Sequence, residues 1–142
     1  GEAAGVYLPM EDDRRVYLRP ATPPPFRMDT SLASLDILMG KTAGIICYCH
    51  YGFSEEPSRM LQLHRSQLLL WEQEIGTLLK EKELLQGLDE GDFIQSCLEM
   101  LLEKDPLLAT FELLGDDEKE REIFFLKNSI KGFTGYLSQG SF

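Results

Sequence analysis

Apolar side chains recur at alternating three- and four-residue steps through the middle of the chain, with Leu61, Leu68, Trp71, Ile75, Leu78 and Leu85 on one stripe that also carries His64 and Lys82. This is the spacing of a helix seam, and it predicts one long helix from about Glu55 to Gln86. Within it, Leu68-Leu69-Leu70-Trp71 sets apolar groups all round the axis, because successive residues turn by about 100°. A helix of that kind is covered by several neighbours, so it should be central. Ser54-Glu55-Glu56-Pro57 supplies an N-cap, acids for the positive helix end and a proline tolerated in the first turn. Lys80-Glu81-Lys82-Glu83 carries the far end towards water, and Gly87 stops it.

The remaining helices carry their own punctuation. Asp89-Glu90-Gly91-Asp92 caps a helix from Phe93 to Lys104, with Phe93, Ile94, Cys97, Leu98, Leu101 and Leu102 inward. Asp105-Pro106 reads as N-cap and first residue of a short helix, Leu107 to Leu114, closed by Gly115. Asp116-Asp117-Glu118 opens a last helix to about Lys131, with Ile123, Phe124, Leu126 and Ile130 on its apolar side and Lys127 and Lys131 near its negative end. The tail from Thr134 to Phe142 shows no period. Upstream, Leu32, Leu35, Leu38 and Met39 predict a short helix over 31–39, closed by Gly40. Residues 43–53 (AGIICYCHYGF) are short enough for one or two buried helical turns, but their β-branched and aromatic content favours a strand.

Residues 1–30 differ from all this, holding five of the seven prolines and near-balanced charge. They form an extended arm, separate from a helical domain over 31–142. Val6-Tyr7-Leu8 and Val16-Tyr17-Leu18 flank the polar Glu11-Asp12-Asp13-Arg14, which suits a β-hairpin over 5–19 as well as it suits an extended or polyproline II chain. The expected fold is therefore mainly α: a bundle of four or more helices around a long central helix, with a small N-terminal β element (α+β).

Composition narrows the function. The 142 residues hold 24 acids against 14 Lys and Arg, a net charge of −10. Such a chain repels phosphate backbones and anionic headgroups, so neither nucleic acid nor membrane is expected as a partner. No apolar run is long enough to span a bilayer, and the N-terminus lacks a signal-peptide pattern. A first residue of Gly rather than Met suggests part of a longer protein. Cys47, Cys49 and Cys97 do not make a disulfide framework, which favours a reducing, intracellular setting, cytoplasmic or nuclear.

Candidate chemistry is sparse. Cys47-x-Cys49-His50 with His64 has zinc-ligand types at the wrong spacing, so no metal is expected. Gly40-Lys41-Thr42 lacks the earlier glycine of a phosphate loop, since Leu35 stands there, and no cofactor is expected. Asp89-Glu90-Gly91-Asp92 lacks the alternating oxygens of a calcium loop and has Met100 at the twelfth place. Thr22-Pro23 has the form a proline-directed kinase reads, although a solvated linker explains the run.

These readings point away from catalysis and towards a protein–protein interaction module, a helical scaffold or adaptor domain in a larger complex, with other proteins as partners in hetero- or homo-oligomers. The alternative is a small enzyme or ligand-binding helical domain whose site assembles only in three dimensions. A deep pocket holding two polarised side chains would favour it. Tyr7, Leu8, Tyr17, Leu18 and Phe26 are the expected protein-binding residues, because they are too apolar for a solvated linker. The arm should dock, with this domain's own surface, at residues 43–51, favoured over a partner's sheet edge.

Overall fold

The computed structural model describes residues 2–10, 15–85 and 87–139. Two short strands, β1 (Val6–Leu8) and β2 (Tyr17–Arg19), lead into α1 (Met28–Met39). A small ribbon, β3 (Ile46–Cys47) and β4 (Phe53–Ser54), precedes α2 (Pro57–Leu85), α3 (Glu90–Lys104), two 3₁₀ turns (Pro106–Leu108 and Phe111–Leu113) and α4 (Asp116–Gln139). The fold is mainly α with small β elements, and α2 packs against α1, α3 and α4.

Local chemistry accounts for most boundaries. Ser54 Oγ accepts the Glu56 N–H at 3.1 Å just before α2, Asp89 accepts the Gly91 N–H at 3.3 Å at the start of α3, and Asp105 Oδ1 accepts the Leu107 N–H at 2.9 Å. Each side-chain oxygen occupies an otherwise unmet donor of a helix start. Gly87, with φ +149°, follows the end of α2, where only glycine is unstrained. The expected last residue of that helix, Gln86, lies outside the described residues, as does the expected turn at Glu11-Asp12-Asp13-Arg14.

The hairpin forms, with Val6 opposite Arg19 and Leu8 opposite Tyr17 in an antiparallel pair. The second ribbon corrects an expectation. Residues 43–53 do not form one strand beside the arm: Ile46 pairs with Ser54 and Cys47 with Phe53 around a turn in which the Tyr48 N–H donates to Gly52 O at 3.2 Å. Gly52 has φ +62°, and this left-handed residue lets the segment fold back on itself. The arm nevertheless docks on its own chain. Val6, Leu8, Tyr17, Leu18 and Phe26 are all buried, and Phe26 stacks 4.7 Å from Phe133 while Phe133 lies 5.7 Å from Trp71.

Four helical segments also differ from expectation. The segment expected as one helix over 107–114 is two 3₁₀ turns, because the eight residues between Pro106 and Gly115 are too few to repay α-helix nucleation. Both α1 and α3 begin three residues before the expected start. The largest change is in α4, which continues past Lys131 to Gln139, so Gly132 is no terminator. A Cβ there would lie 1.8 Å from Thr22 O, and the bare Cα is what allows arm and helix to touch. Beyond it Phe133 is fully buried and Tyr136 and Leu137 pack against the core, which holds the tail helical. Lys127 and Lys131 consequently sit in mid-helix, away from the negative end.

On α2, Leu68, Trp71 and Ile75 are buried, Leu78 is half-buried and Leu69 is exposed. The helix is thus covered on several sides and open to solvent at Leu69.

Candidate functional site

Side chains at i and i+2 of a strand project to one face, and Tyr17 and Arg19 of β2 both reach one carboxylate on α4. Glu122 Oε2 accepts from Tyr17 Oη at 3.0 Å and from Arg19 Nε at 2.5 Å. Glu122 is fully buried and Arg19 nearly so. Burial, and then the neighbouring Glu122 charge, push the Tyr17 hydroxyl well above its usual range, so it stays a donor. The Arg19 guanidinium also lies 4.8 Å over the Phe125 ring, which suits its charge. The other carboxylate oxygen, Glu122 Oε1, has no hydrogen-bond partner among the described residues, and Arg121 Nε stops 3.9 Å from it.

A cavity of about 200 Å³ opens beside this group, with Glu2, His50, Tyr51, Arg121 and Asn128 also on its wall. His50 Nε2 and Glu2 Oε1 are in contact at its rim. One edge is fastened by Ser129, whose hydroxyl donates to Pro20 O at 3.0 Å and accepts the Thr22 N–H at 3.3 Å. Thr22 itself is buried and donates to Ser129 O at 3.2 Å, which removes it from a kinase's reach.

A second buried polar group joins α2 to the first 3₁₀ turn. Asp105 Oδ2 accepts from Trp71 Nε1 at 2.7 Å and from Gln67 Nε2 at 2.8 Å. Gln67 also donates to Leu18 O at 2.6 Å. Its Oε1 faces His64 Nδ1 at 3.1 Å, and since an amide oxygen only accepts, Nδ1 carries the proton. Burial pulls His64 down to about 4 and raises Asp105 above the usual carboxylate value despite its three donors. Every member is engaged within the protein, so this group holds the fold together.

Across α4 lies a wider cleft of about 480 Å³ between the start of α3 and the helix, lined by Ile94, Phe124, Lys127 and Lys131 among others. Phe124 is 67% exposed and meets Phe125 edge to face at 5.5 Å. Lys127 and Lys131 make no ion pair among the described residues. The helical pattern had set Phe124 inward, yet the stripe facing the core is Glu122, Leu126, Ile130 and Phe133. Stepping back four residues from Leu126 reaches Glu122. That phase was the available signal, and the acidic run Asp116-Asp117-Glu118 masked it.

Of the residues expected to bind a partner, Leu8, Tyr17, Leu18 and Phe26 lie in this chain's own interior and Tyr7 is half-buried, with its ring 5.3 Å from Tyr48. Cys47 and Cys49 are exposed and Cys97 is buried, where burial pushes its thiol up to about 12 and keeps it protonated. Among the described residues no group of three or more His, Cys, Asp and Glu side chains could hold a metal. No described helix is long and apolar enough to cross a membrane. Comparison of the chain with protein-family models, curated proteins and solved structures finds no match.

Proposed function

We propose that this chain is a protein-interaction module, an adaptor or scaffold element of an intracellular complex, and that it docks through the face of α4 bearing Phe124, Lys127 and Lys131. The observation that carries the reading is the exposure of Phe124, with Lys127 and Lys131 three and seven residues further along the same helix, a spacing that places all three on one side. A large exposed aromatic ring beside positive charge is the composition of an interface anchor. In a chain of net charge −10, two lysines without an ion pair among the described residues, beside an exposed ring, select an acidic partner segment with an aliphatic or aromatic residue for the cleft. Cys47, Cys49 and Cys97 form no disulfide among the described residues, which supports a reducing compartment.

The test uses two fluorescent peptides of equal length, one rich in Glu and Leu and one rich in Lys and Leu, titrated with the whole chain. The acidic peptide should bind and shift the amide resonances of residues 124, 127 and 131. Phe124→Ala and the pair Lys127→Glu, Lys131→Glu should each weaken binding at least tenfold without altering the melting temperature. Equal binding of the basic peptide, tighter binding of duplex DNA, or undiminished binding by the variants overturns the reading.

A further inference from the structure

The cavity beside the Arg19–Glu122 pair brings a buried acceptor without a hydrogen bond among the described residues next to a partly exposed cation. Glu122 Oε1 is buried and has no hydrogen bond among the described residues. Arg121 makes no hydrogen bond among the described residues: its Nε stands 3.9 Å from that oxygen and its guanidinium rests 5.6 Å over the Tyr51 ring. Leaving a buried carboxylate oxygen unmet is costly, and native proteins seldom do so without a reason. We propose that this cavity binds a free α-amino acid, its carboxylate on the Arg121 guanidinium and its ammonium on Glu122 Oε1.

Charge and spacing together select this chemistry. A ligand bearing both groups closes a ring of four alternating charges, Arg121, Glu122, ammonium and carboxylate, with each new contact at a charge-assisted hydrogen-bond length of roughly 2.9 Å. A ligand with only a carboxylate would answer Arg121 and face Glu122 and Glu2. One with only an amine would answer Glu122 and face Arg121. Arg19 does not compete for the same oxygen, because its Nε is committed to Oε2. The Arg121 side chain is two-fifths exposed, so its guanidinium can turn onto an entering carboxylate and leave Oε1 to the ammonium. The volume of about 200 Å³ falls below the roughly 300–1,000 Å³ of sites for larger organic ligands. Val6, Ala21 and Phe125 on the wall then suit a small apolar side chain. Phe124, Lys127 and Lys131 of the docking face do not line this cavity, so the inference stands without that face.

The test is calorimetry and two-dimensional NMR on the whole chain with single amino acids as titrants, beginning with alanine, valine and serine. One or more should bind saturably at up to the order of 10 mM and shift the signals of residues 50, 51, 121 and 128, while acetate and methylamine do not. Arg121→Ala, at an exposed position, should weaken binding at least tenfold with an unchanged circular dichroism spectrum, and Phe124→Ala should leave it unaltered. Glu122→Gln should also weaken it, but that change breaks a buried ion pair, so Arg121→Ala decides. No saturable response to any amino acid, an equal response to acetate, or full binding by Arg121→Ala overturns the proposal.

Discussion

The indole of Trp71 donates to Asp105 Oδ2 across 2.7 Å, linking the middle of α2 to the turn that follows α3. The same carboxylate takes the Gln67 amide and the Leu107 N–H, so one side chain caps a 3₁₀ turn and ties two elements together. Trp71 is therefore more than apolar bulk. Replacing it with Phe keeps a ring and removes one donor from a buried acid, which should cost about 1–3 kcal/mol in urea unfolding. An unchanged midpoint would show that the indole N–H adds nothing to stability.

The buried His64 makes stability depend on pH. Its folded value of about 4 lies below its ordinary 6.5, so the folded state prefers the neutral ring. The contribution is fully present above pH 6.5 and is lost as pH falls towards 4, because the unfolded chain takes up a proton that the folded one refuses. Burial shifts Asp105 upward, the opposite direction, so it opposes this trend, and comparison with a His64 variant isolates the histidine. The difference in unfolding free energy between wild type and His64→Gln should fall across this window with a slope approaching about 1.4 kcal/mol per pH unit. A flat difference curve would refute it.

Two glycines of α4 should respond to alanine in opposite senses. At Gly132 the new Cβ meets Thr22 O, whereas at Gly135 nothing lies within 4 Å. Gly132→Ala should cost about 3 kcal/mol or more and speed amide exchange across residues 6–8 and 17–19, as the arm lifts. Gly135→Ala should stabilise by up to about 1 kcal/mol. Similar melting temperatures for the two variants would contradict the close approach of arm and helix.

The Arg19–Glu122 pair calls for a double-mutant cycle. Arg19→Met leaves a buried carboxylate with only the Tyr17 hydroxyl on Oε2, and should cost about 3–5 kcal/mol. Adding Glu122→Leu removes the stranded charge and should restore most of that loss. Additive losses in denaturant unfolding would mean that the two groups do not depend on each other.

The hairpin was one of two equal readings of the sequence, whereas the central place of α2, four of the five expected helices and the caps at Ser54, Asp89 and Asp105 were legible in it. Each rests on residues a few positions apart, whose spacing or side-chain chemistry acts locally. The site was not. Glu122 stands in a stretch that reads as a solvated acidic helix start, and its partners Tyr17 and Arg19 lie 105 and 103 residues away. Nothing near any of these three residues in the chain specifies the pair. Only when the hairpin settles on α4, admitted by the bare Cα of Gly132, do the face of β2 and the inner stripe of α4 coincide. That coincidence turns an acid into a buried ligand and Phe124 from a core position into an exposed one. The tail was decided in the same way: its helix has no period of its own and persists because Phe133 fills the space between Phe26 and Trp71, a space made by residues distant in the chain.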